Sequence, residues 1–181
     1  AAVIFVIILN PKKAPLMKVE EITNHKSAYR DWKYLLFIAA ILLFGLVFMQ
    51  YFSTIPLYYK DGHHLTEFQI GLLFAANGFL IFIIEMPLVK WLENCGRSKE
   101  YLMIIGSAMI GLSFLILNLT PWTGILVVSL ILATFGEMII FPFSNAFAME
   151  RSNRGNKGEY MALYMMAFSF AHIFSHNGGM Q

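Results

Sequence analysis

Long apolar stretches alternate with short polar runs along this chain. The alternation predicts an all-helical protein that crosses a bilayer several times. About 20 apolar residues, at roughly 1.5 Å of helical rise each, span a hydrocarbon core of about 30 Å. Complete spans are expected over 34–58, 67–92, 101–119 and 121–148, with an incomplete fifth over 160–177. Residues 1–9 are apolar but too few to cross, and they read as the end of a truncated helix. Residues 10–33 are polar and basic and read as a linker, so the chain is expected to be a fragment cut at both ends.

Local signals mark the span ends. Asp31 is expected to cap the first helix, and Thr66 with Gln69 has the spacing of a capping box. Thr120 is expected as the next cap, with Pro121 at the first helical position. Trp32, Tyr34, Tyr58 and Tyr59 sit where an aromatic belt places them. Gly71, Asn77 and Gly78 suit close helix contacts, and the apolar 101–119 span is expected to face lipid.

Composition agrees with the pattern. Apolar residues make up 58% and charged residues 13%, about half the charged share usual for a soluble domain. Charge placement adds orientation. All but Lys60 of the 13 Lys and Arg residues lie in or beside 10–33, 93–100 and 150–159, so these three loops are expected on the cytoplasmic side. The single Cys95 cannot form an internal disulfide, and no Cys/His cluster has metal-ligand spacing. No cofactor motif and no catalytic constellation is present, so an enzyme is not expected. The basic residues anchor loops rather than form an aromatic-interleaved stripe, so neither is a nucleic-acid partner.

The candidate chemistry lies inside the spans. Glu137 is near the middle of the fourth, with Pro142 five residues on to bend the backbone. A carboxyl at membrane depth is costly when charged and marks a functional site. Such a group takes a proton from one side and releases it to the other, or binds a cation in exchange; the structural alternative is a protonated Glu bonded to a neighbouring helix. Glu85 in the second span is a second proton carrier or a gate residue pairing with a cation near the cytoplasm. Gln50, Asn77, Ser144, Asn145 and His172 are candidates for lining a substrate cavity, although interhelical hydrogen bonding explains each equally well. His172 and His176 share a helix face, but no further ligand follows, and polar packing is favoured over metal.

The turn after the second span supplies a resemblance. Glu93-Asn94-Cys95-Gly96-Arg97-Ser98-Lys99 resembles a degenerate copy of the loop motif of the major facilitator superfamily, Gly-x-x-x-Asp-[Arg/Lys]-x-Gly-[Arg/Lys]-x-[Arg/Lys]. Glu93 stands at the Asp position, Gly96 at the second Gly, and Arg97 and Lys99 at basic positions. Val89 replaces the first Gly, and Asn94 a basic residue. Pro142-Phe143-x-x-Ala146 and Arg154-Gly155-x-x-Gly158-Glu159-Tyr160 are similar to that family's passage from helix 10 to helix 11. The resemblance implies part of a 12-helix polytopic transporter: the end of helix 6, the central loop, and helices 7 to 11 of the C-terminal bundle. It implies alternating access against a missing N-terminal bundle of the same chain, in a bacterial inner membrane, with a small molecule and protons as partners. With the buried acids, proton-coupled efflux by antiport is the expected direction and nutrient or sugar symport the alternative. A non-transporting membrane scaffold is the rival of a different class.

Overall fold

The computed structural model describes residues 27–119 and 122–178, with side chains described as far as Phe174. A single 3-10 turn, Ala28–Arg30, leads into five helices: α1 (Trp32–His63), α2 (Glu67–Asn94), α3 (Lys99–Leu117), α4 (Gly124–Ser152) and α5 (Lys157–Gly178). Among the described residues there is no strand, and the fold is all-α. The helices α1 to α4 are each long and apolar enough to cross a membrane. The more polar α5, with Lys157, Glu159, Ser169 and His172 along it, is not among those four. The expected truncated helix over 1–9 and most of the linker lie outside the described residues.

Two caps form from the residues expected. The Asp31 carboxylate accepts from the Tyr34 N–H (3.3 Å). At Thr66, the side chain accepts from the Gln69 N–H (3.3 Å) while Gln69 Oε1 accepts from the Thr66 N–H (2.9 Å). α1 continues past the expected end at Tyr58, through His63, because its last turn closes on His64 in a left-handed conformation (φ 54°). α4 starts at Gly124, later than expected, with Thr123 before it and no side-chain cap; Thr120 and Pro121 lie outside the described residues. The α2–α3 turn needs Gly96, whose φ of +63° is open chiefly to glycine, and Ser98 then caps α3. Pro56, Pro87 and Pro142 all lie within continuous helices.

α4 is the centre of the bundle. It packs along α3 and also against α2 and α5, while α1 packs along α5. The α3–α4 crossing is a glycine contact. A Cβ added at Gly106 would stand 2.9 Å from the Gly136 carbonyl, and one at Gly136 would stand 2.8 Å from the Gly106 carbonyl. Backbones this close gain the van der Waals contact that drives association in lipid, where apolar surface gains nothing by hiding. A Cβ added at Gly45 of α1 would likewise stand 2.8 Å from the Ala171 Cβ of α5. The glycines Gly71 and Gly78, expected to make close contacts, face open space, and so does Gly111. Most of α2 is exposed, with Phe79, Phe82, Ile83 and Met86 on its surface. The expectation that 101–119 faces lipid fits one side of α3, where Ile104, Leu112 and Leu115 are exposed; Leu102, Ile110 and Ser113 on the other side are buried.

The two ends of the bundle differ in kind. At one end Arg151 grips Asp31 through two hydrogen bonds of 2.7 Å, from Nε and Nη2, and the Tyr160 hydroxyl donates to the same carboxylate (3.1 Å). Lys99 pairs with Glu150, and Glu159 accepts from the Ser27 hydroxyl and the Ala28 N–H, each at 3.0 Å. The opposite end is held by tyrosines on helix-end carbonyls, Tyr58 to Leu117 (3.1 Å) and Tyr59 to Leu126 (3.5 Å). The loops rich in basic residues therefore meet at one end, as an alternating set of spans requires.

Candidate functional site

The site is built on the faces where α2 and α4 meet. Thr134 and Glu137 are three residues apart on α4 and so lie on one face. Opposite them, Asn77 is the buried polar residue of α2. Its amide Nδ2 donates to Glu137 Oε1 at 3.0 Å, and its Oδ1 accepts from the Thr134 hydroxyl. The one Thr134 proton is shared with the Leu130 carbonyl, 2.6 Å away, a contact that hydroxyls commonly make within a helix. Asn77 thus spends both ends of its amide on α4, which fixes the side chain's orientation and ties the two helices together.

Glu137 is half-buried, and among the described residues it has no cationic partner. Its electrostatic neighbours are Glu85 of α2 and Tyr51 of α1. Glu85 is eight residues beyond Asn77, about 12 Å along the helix, and is also half-buried. The arrangement offers one carboxylate, held by a neutral amide, at mid-helix depth. Such a carboxylate is stable when it shares its place with a proton or a cation, and costly when left alone.

The other residues singled out in the sequence fall elsewhere. Ser144 is buried and shares a 2.8 Å hydrogen bond with the Tyr164 hydroxyl, which ties α4 to α5. Gln50, Asn145 and His172 are exposed on the described bundle, and the His176 side chain lies outside the described residues. In the α2–α3 turn, Glu93, Gly96 and Arg97 are exposed, while Lys99 is half-buried beside Glu150. A cleft of about 590 Å³ opens at this end, bordered by Arg97, Lys99, Glu150 and Arg154. Glu150 lies 13 residues beyond Glu137, roughly 20 Å by helical rise, so this cleft is separate from the Glu137 site.

Sequence reasoning missed Thr134 as a partner of Glu137. The signal was available, since the two stand at i, i+3 on a helix already marked by its acid. It also missed Tyr164 and the Asp31–Arg151 pair. Nothing in the sequence pairs residues so far apart, 120 positions in the second case. The Asp31 carboxyl is held down to about 2, first by the Arg151 hydrogen bond, and then by the Tyr34 N–H, the Arg151 charge and Tyr160, against the opposing cost of burial.

Comparison with known proteins places this geometry in a family. The family model of the Major Facilitator Superfamily matches residues 1–176. A Na(+), Li(+), K(+)/H(+) antiporter of Planococcus maritimus is 21% identical over 169 residues, covering 86% of this chain and 39% of that protein. An uncharacterized MFS-type transporter, YttB, of Bacillus subtilis strain 168 is 29% identical over 132 residues, covering 68% of this chain and 32% of the relative. The chain thus spans well under half the length of either relative. No solved structure matches at a comparable level. The match covers nearly the whole chain and fits the apolar helices, so the chain is an integral membrane protein and belongs to the Major Facilitator Superfamily.

Proposed function

We propose that this chain forms the C-terminal bundle of a proton-coupled antiporter that moves a small cation out of a bacterial cell by alternating access. Helices α1 to α5 take the places of helices 7 to 11, residues 1–9 the end of helix 6, and 10–33 the cytoplasmic linker to an N-terminal bundle of the same protein. The loops 93–100 and 150–159 face the cytoplasm of the inner membrane.

One observation carries the reading. Glu137 is a half-buried carboxylate at mid-helix, bonded to Asn77 and, among the described residues, without a cationic partner. A proton and a cationic cargo are alternative ways to neutralise one such group. Occupancy by either excludes the other, and exclusion at a shared site is what couples opposite fluxes. The antiporter of Planococcus maritimus supports the same class of cargo, monovalent cations exchanged for protons. Glu85, nearer the cytoplasmic end of α2, is placed to pass the proton on. The 93–99 motif and the ion pairs at the cytoplasmic end hold the bundle as one body while it rocks.

The test uses the full-length protein in proteoliposomes carrying a pH-sensitive dye. Addition of Na⁺, Li⁺ or K⁺ is expected to drive proton movement, and Glu137→Gln is expected to abolish it while the protein still inserts and purifies normally. Undiminished exchange by that variant would refute the role given to Glu137.

A further inference from the structure

The described bundle contains one buried side-chain polar atom that meets no partner with full hydrogen-bond geometry, and it lies in the core that flanks the Glu137 site. The Tyr51 hydroxyl is enclosed, with the residue only 4% exposed, and no described atom reaches it with full hydrogen-bond geometry. Leaving a buried hydroxyl unpaired costs roughly 1–3 kcal/mol, so native folds seldom keep one without a reason. The phenol of Tyr59 interacts with it from the same helix, while Tyr59 donates its own proton to the Leu126 carbonyl.

Packing directs Tyr51 toward the site. Its ring meets Phe114 edge-on at 5.5 Å and shares a core with Phe74 of α2 and Ala133 of α4. Phe74 is one turn before Asn77, and Ala133 adjoins Thr134. The Tyr51 oxygen also interacts electrostatically with the Glu137 carboxylate. Its sequence neighbour Gln50 is exposed, so α1 turns the phenol, and not the amide, inward.

We infer that Tyr51 supplies an oxygen ligand, beside the Glu137 carboxylate and the oxygens of Thr134 and Asn77, to a binding site for a desolvated monovalent alkali cation. The inference rests on the cation-antiport reading above and names the residue that completes its site. The donor set is all oxygen, the chemistry that hard cations take. It holds one carboxylate, which balances one positive charge; Glu85 is about 12 Å along α2 from Asn77 and belongs to the approach. When the cation leaves, a proton on Glu137 restores neutrality. The titratable groups facing Glu137 are Tyr51 from α1 and Glu85 from α2.

The experiment measures binding of radioactive Na⁺ to the purified full-length protein in detergent, with Li⁺ and K⁺ as competitors, for the wild type and Tyr51→Phe. The expected result is a roughly tenfold weaker Na⁺ affinity in Tyr51→Phe, with thermal stability in the absence of alkali cations unchanged or raised, because the substitution removes only an unpaired hydroxyl. A purely structural tyrosine would instead lower that stability and leave the affinity alone, and this outcome overturns the inference. Thr134→Val, with Thr134→Ser as the rescuing variant, gives a second reading of the same oxygen shell: loss of affinity in Val regained in Ser supports it, and equal affinity in all three overturns it. If the wild type binds Na⁺ and Tyr51→Phe binds equally well, the inference fails and the antiport reading stands. If the wild type binds none of the three cations, the antiport reading fails and takes the inference with it.

Discussion

Two carboxylates on this bundle, Asp31 and Glu137, meet opposite fates. Asp31 sits at the charged end, where Arg151 grips it with two short hydrogen bonds and Tyr160 and the Tyr34 N–H satisfy the rest. Glu137 sits at mid-helix, with a neutral amide as its one hydrogen-bond partner among the described residues. The first carboxylate is permanently neutralised by a protein cation and serves as a clamp between the start of α1 and the end of α4. The second is left for something mobile to neutralise. A guanidinium neutralises the carboxylate at the end of the bundle, and among the described residues no cation pairs with the one in the middle, which is what suits it to the coupling role proposed.

This contrast makes graded predictions. The largest effect is expected from Glu137→Gln, at least about a hundredfold loss of cation-driven proton flux with little change in folding, because it removes the group that the two ligands share. Next is Arg151→Met, which leaves Asp31 half-enclosed without its cation. It should destabilise the full-length protein by roughly 3 kcal/mol, read as a lowered melting temperature in detergent, with transport by the surviving folded protein retained. Asp31→Asn sharpens the same point through pH. The Asp31 carboxyl is lowered from its ordinary value to about 2, so its contribution is fully present above about pH 4 and is lost as pH falls through about 2. The wild type should therefore lose stability across that acid window by a component that Asp31→Asn lacks, measured by intrinsic fluorescence during acid titration. Thr134→Val should lower transport severalfold by releasing Asn77, a change of about 1 kcal/mol. The smallest effect is expected from Glu150→Gln. Its exposed pair with Lys99 is screened by water, and no measurable shift in melting temperature should follow.

The sequence made the spans readable because a hydrocarbon core imposes a length and excludes charge, and hydropathy reports both. Caps were readable for a local reason: Asp31 and Thr66 act on N–H groups three residues away. The inward faces were harder to read. In water, a helix shows its buried side by being apolar there. In lipid both sides are apolar, so the sequence singled out Gln50, yet Gln50 is exposed and its neighbour Tyr51 is the buried one. The same ambiguity explains the glycines. Gly71 and Gly78 looked suited to close packing but face open space, while Gly106 and Gly136 make the contact. Glu137 stood out as an acid in an apolar run, and Asn77 as a polar residue. Their pairing across 60 positions came only with the fold.

The account turns on one exchange at one carboxylate, and proton release on cation binding measures it most directly. The full-length protein in weakly buffered detergent, held near neutral pH, would be titrated with Na⁺ while a pH indicator records protons set free. The account predicts close to one proton released per protein, saturating with Na⁺ and absent in Glu137→Gln. Saturable Na⁺ binding with no proton release, or release that persists in Glu137→Gln, would contradict it.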